Sequence, residues 1–134
     1  MTVRKYASAR GVGVAGAALV GSSLLGGAAS VLAGTNTWAN AWTAEATLAA
    51  PWPMLLAQAA GTCAATSRRR GVAQAGSVLL GVTAAVAGIS GFFDGQLGRA
   101  DLSAWQVAGQ ICYVVVAWVT AAVAGVRLWK LRSS

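Results

Sequence analysis

"SRRRGVAQAGSVLLGVTAAVAGISGFFD", Ser67 to Asp94, is the stretch that decides the fold. Three arginines and one aspartate bracket an uncharged run, Gly71 to Phe93, built mostly of alanine, glycine, valine and leucine. A helix of about 20 apolar residues covers the roughly 30 Å hydrocarbon core of a bilayer. In hydrocarbon the backbone groups must bond to one another, so a run of this kind is an α-helix. A helix lying on a soluble core would carry a polar stripe, and this one has none.

The same pattern recurs on both sides. No Asp, Glu, Lys or Arg occurs in residues 11–44, 46–67 or 102–126. The chain therefore reads as an all-α integral membrane protein, a single domain over residues 1–134. The expected architecture is a four-transmembrane-helix bundle with spans at about 11–33, 47–66, 72–92 and 103–126. Pro51 and Pro53 would fall in the first turn of the second span, where a missing N–H does little harm. Composition agrees with this class. Of 134 residues, 57% are hydrophobic and only 10% charged, against about a quarter charged in a soluble domain. Mean hydropathy is +0.63.

A net charge of +7 would point to nucleic acid in a soluble chain with a basic patch. Here the distribution argues otherwise. Arg4, Lys5 and Arg10 precede the first span, Arg68, Arg69 and Arg70 join the second to the third, and Arg127, Lys130 and Arg132 follow the fourth. Glu45, Asp94, Asp101 and Arg99 occupy the other two loops. The positive-inside rule then makes both termini cytoplasmic, N-in and C-in, with the lipid bilayer as partner and no nucleic acid. Arg68–Arg70 read first as a topological anchor on a tight loop. The functional alternative is contact with anionic lipid. Trp38, Trp42, Trp52, Phe92, Phe93 and Trp105 fall at the outer ends and Tyr6 and Trp129 at the inner ends, the expected interfacial belt. The Ala, Gly and Arg bias suits a GC-rich bacterial genome, hence a bacterial cytoplasmic membrane.

One competing reading concerns the first span. "MTVRKYASAR", an apolar stretch and "SVLAG" have the order of a signal peptide, with cleavage after Ala33. The apolar stretch is longer than the usual 7–15 residues of such a segment, which favours a retained helix.

Helices in lipid associate through close packing, so small residues mark their contacts. Ala18, Ser22, Gly26, Ser30 and Gly34 form a stripe at fourfold spacing, the expected helix-packing surface of the first span. Set 60 residues apart, Arg10–Ser30 and Arg70–Ser90 also match at Arg, Gly, Val, Ala, Gly, Leu, Gly and Ser. That echo suggests a duplicated helical hairpin, and biased composition explains it equally well.

The chemistry-bearing inventory is short. There is no histidine, and no cluster suggests a metal, a cofactor or a catalytic group. Cys63 and Cys112 lie in spans two and four at different depths and read as buried apolar thiols rather than a disulfide. No acidic residue falls within a span, where such groups mark ion paths and proton relays. What remains polar is Gln58, with Gln106, Gln110 and Tyr113 on one face of the fourth span. They read as interhelical glue or as the lining of a solute path. The expected function is a non-enzymatic bundle acting as a homo-oligomer or as a subunit of a membrane complex. The alternative is a small transporter or channel lined by those four residues.

Overall fold

The computed structural model describes residues 2–43, 49–93 and 97–133, with the side chains of residues 2–8 and 93 outside the description. The described chain is all-helical. It holds α1 (Thr2–Leu32), α2 (Trp52–Ala65), α3 (Arg70–Phe93) and α4 (Ala104–Ser133). Consecutive helices run antiparallel and pack as a ring: α1 on α2, α2 on α3, α3 on α4 and α4 back on α1. Two layers of core side chains fill the centre. In the lower one Val12, Ala65, Leu80 and Ala124 meet, one from each helix. In the upper one Leu19, Ala84, Ala87 and Ala117 do the same for α1, α3 and α4, with Met54 of α2 alongside. Alanines at these points leave little between the backbones, and the helices sit close.

Three helices, α1, α3 and α4, are long and apolar enough to cross a membrane. The second is not, which corrects the expectation of four spanning helices. Its 14 residues rise about 21 Å at 1.5 Å each, short of a roughly 30 Å core. Thr47 and Leu48, the expected start of that span, lie outside the described residues. The helix begins only after Pro51, whose φ and ψ of −60° and 151° are extended. Each proline ring opposes a helical residue four positions earlier and biases its predecessor toward extended backbone. The two prolines therefore end the helix's upward growth instead of opening a longer one. An uncharged run measured the apolar length correctly and the helical length wrongly.

The polar backbone above α2 is not left bare. Trp52 N–H donates to the Trp42 carbonyl at 2.9 Å, and Ala50 N–H donates to the Ser23 hydroxyl at 2.7 Å. Ala41 and Ala50 are buried. Buried irregular backbone needs partners from the protein around it, and Ser23 of α1 supplies one.

Close approach is set by glycines. A methyl group on Gly16 of α1 would collide with Thr62 of α2, and one on Gly76 of α3 would collide with the Ala64–Ala65 backbone. A methyl group on Gly61 would lie 2.9 Å from the Leu80 backbone nitrogen. The buried face of α1 runs through Val12, Gly16, Leu19, Ser23, Gly27 and Ser30. The stripe expected from the sequence is displaced from it. Ala18 and Gly34 are exposed, Ser22 and Gly26 half-buried, and only Ser30 is buried. Gly34 is not helical at all. It takes φ 75°, while Gly34 N–H bonds Val31 and Thr35 N–H bonds Ser30, the paired bonds of a Schellman helix end.

The sequence echo does not carry over to packing. Val12 and Leu19 are fully buried, whereas their counterparts Val72 and Leu79 are 43% and 40% exposed. Gly16 and Gly76 both face α2, whereas a rotation relating the two hairpins would turn Gly76 to α4.

Candidate functional site

The polar residues of the interior separate into fasteners and an isolated pair. Gln106 and Gln110, one helical turn apart on α4, are fasteners. Gln106 Nε2 donates to the Thr35 hydroxyl at 2.6 Å. Its Oε1 accepts from Ser103 N–H at 2.9 Å and from the Ser103 hydroxyl at 3.0 Å. The side chain therefore caps the start of α4 and pins the chain leaving α1. Gln110 Oε1 accepts the Gly98 N–H at 3.0 Å, where Gly98 holds φ 69°. Both amides are buried and committed to closing the outer end of the ring. The four-residue lining expected from the sequence is thus divided.

Gln58 and Tyr113 are the other part. Gln58 on α2 is 0% exposed, and neither its Nε2 nor its Oε1 has a hydrogen-bond partner. The Tyr113 hydroxyl is sealed from solvent and likewise unpaired. It is turned toward Gln58 and Ser23 without making a hydrogen bond to either.

Ser23 is a residue the sequence reading missed. Its hydroxyl accepts from Ala50 N–H, and its carbonyl accepts the Trp42 indole N–H at 3.2 Å. Trp42, expected in the interfacial belt, is folded inward onto Gly27. It also stacks on Trp38, with ring centroids 6.0 Å apart, and lies tilted against Trp52, with centroids 5.5 Å apart. The other described belt aromatics, Trp38, Trp52, Phe92, Trp105 and Trp129, are exposed.

Arg127 is the second missed residue. It is 6% exposed inside α4, and its Nε donates to the carbonyl of Ala65, the last residue of α2, at 3.4 Å. A cation there satisfies a carbonyl that has no partner within its own helix and faces the negative end of the helix dipole.

At the inner end Arg68, Arg69 and Arg70 are exposed, and an Arg70 guanidinium nitrogen donates to the Arg132 carbonyl at 3.3 Å. In the outer loop Arg99 Nε donates to an Asp101 carboxylate oxygen at 2.8 Å. That guanidinium holds the Asp101 carboxyl below its usual range. Cys63 and Cys112 are both free and exposed, on outward faces rather than in the core as expected. Among the described residues no three His, Cys, Asp or Glu side chains gather as a metal site would need. The chain matches no family model, no curated protein and no solved structure.

Proposed function

We propose that this protein is a non-enzymatic building unit of a lipid membrane, a helical ring that associates with itself or serves as a small subunit of a membrane complex. The reading places both termini on the cytoplasmic side of a bacterial cytoplasmic membrane, with the basic inner end held there by the positive-inside rule. The observation that carries it is the use of Gln106 and Gln110. The two amides best placed to line a path are bonded to Thr35, Ser103 and Gly98 at the outer end. They act as clasps between loops. Outward side chains such as Leu25, Leu56, Val82 and Val119 are more than half exposed, a surface suited to lipid or to another apolar helix. Ala18, exposed on α1, belongs to the surface open to a second copy.

A small transporter or channel is the second reading, favoured by the unpaired polar atoms of Gln58 and Tyr113. Proteoliposomes loaded with a pH-sensitive dye and placed in an ion gradient separate the two. A building unit leaves the leak at the level of protein-free vesicles. A leak that appears with wild-type protein and disappears in Gln58→Leu overturns the first reading and supports the second.

A further inference from the structure

The inner end of the ring gathers cations from two distant segments. Arg70 reaches the carbonyl of Arg132, 62 residues away in sequence, and so holds the end of α4 against the turn between α2 and α3. Arg68, Arg69, Arg70, Lys130 and Arg132 are all exposed there. The chain's three acidic residues, Glu45, Asp94 and Asp101, all belong to the other two connections. Among the described residues neither of these two segments carries an acidic side chain.

We propose that the α2–α3 turn and the end of α4 form one binding site for the phosphate headgroup of an anionic phospholipid. Guanidinium groups present planar forks that match phosphate oxygens in pairs. Helix α3 begins at Arg70, so its first N–H groups and the positive end of its dipole add to the same field. A methyl group on Gly71 would meet nothing within 4 Å, which leaves that backbone open to approach. The surroundings select a lipid over a soluble anion. Trp129, three residues from Arg132, is 69% exposed, and an amphipathic ring at this level sits among headgroups. Val72 and Val126, within a few residues of the cations along α3 and α4, are exposed and offer apolar surface suited to an acyl chain.

The site rests on the membrane reading above, and reconstitution separates the two failures. Full-length protein that cannot be reconstituted into bilayers sinks the membrane reading. Protein that reconstitutes and ignores lipid charge sinks this inference alone. Thermal unfolding is followed in nanodiscs of phosphatidylcholine, with or without phosphatidylglycerol. Native mass spectrometry counts the lipid retained, and glycerol 3-phosphate serves as the free anion. Phosphatidylglycerol should raise the unfolding temperature and be retained several-fold over phosphatidylcholine, with glycerol 3-phosphate having no effect. The gain should be lost in Arg68→Gln/Arg69→Gln/Arg70→Gln and also in Lys130→Gln/Arg132→Gln. It should survive in Arg4→Gln/Lys5→Gln, which removes charge from α1 outside the two tied segments. Equal loss in the α1 variant, retention in either patch variant, or full replacement by glycerol 3-phosphate overturns the proposal.

Discussion

The backbone N–H of Ala50 donates to the side chain of Ser23, 27 residues earlier, at 2.7 Å. This bond joins α1 to the extended backbone above α2, where no helical partner exists. Removing the hydroxyl leaves a buried donor unpaired, which costs about 1–3 kcal/mol. Ser23→Ala should therefore lower the unfolding temperature in detergent. Ser22→Ala should not, because that hydroxyl returns to the Leu19 carbonyl of its own helix at 3.0 Å. Equal effects at the two serines would show that the extended segment takes its stability elsewhere.

The face of α1 is open to a similar comparison. Gly16 lies against Thr62, and any side chain there must displace it. Gly16→Val should cost about 1–3 kcal/mol by overpacking, whereas Ala18→Val on the exposed side should be nearly neutral in the isolated chain. The two variants are read by thermal denaturation and by oligomer size in detergent. A loss of oligomer in Ala18→Val with unchanged unfolding would assign the outward small residues to contact between copies. A larger thermal loss at Ala18 than at Gly16 would reverse the orientation of the helix.

Gln58 and Tyr113 make a less usual prediction. An unpaired polar group in an apolar interior is unfavourable by about 1–3 kcal/mol on protein scales, and an apolar replacement of similar shape removes that term. Tyr113→Phe and Gln58→Leu should each leave the unfolding temperature unchanged or raise it. A fall in both would mean that the hydroxyl and the amide are bonded in the folded protein.

At the outer end, the Arg99 guanidinium holds the Asp101 carboxyl below its usual range. A carboxyl lowered on folding stabilises the folded state above its unfolded pKa, and that contribution disappears as pH falls through the lowered value. Both groups are exposed, so the effect is small. Wild-type and Asp101→Asn should differ slightly near neutral pH and converge in strong acid. A difference that grows on acidification would contradict the pairing.

How far the sequence carried the fold can be followed at single residues. The runs free of charge announced four apolar segments, because a charge in hydrocarbon is costly enough to be nearly excluded. They did not announce where helix gives way to extended chain, since Pro51 and Pro53 are uncharged too. The phase of α1 was lost for a different reason. In a segment so rich in alanine and glycine several fourfold stripes coexist, and only the neighbours Thr62 and Trp42 select the one through Gly16 and Gly27. The role of Gln106 was legible. Ser103 and Gln106 have the spacing of a capping box, a local signal that competes with the helix face Gln106 shares with Gln110. The role of Arg127 was not, because its partner is a carbonyl 62 residues away that no local pattern names.

The shortest helix has consequences for how the chain is made. Both ends of α2 depend on residues outside it: its upper approach on Ser23 and Trp42, already synthesised, and its lower carbonyl on Arg127, synthesised near the end. A ribosome completes α2 second, yet the last clasp arrives only with α4. Until then α2 is a half-length rod leaning on α3 through Gly61 and Gly76. The order of manufacture and the order of completion therefore differ, and the newborn protein waits for its final segment to lock its second.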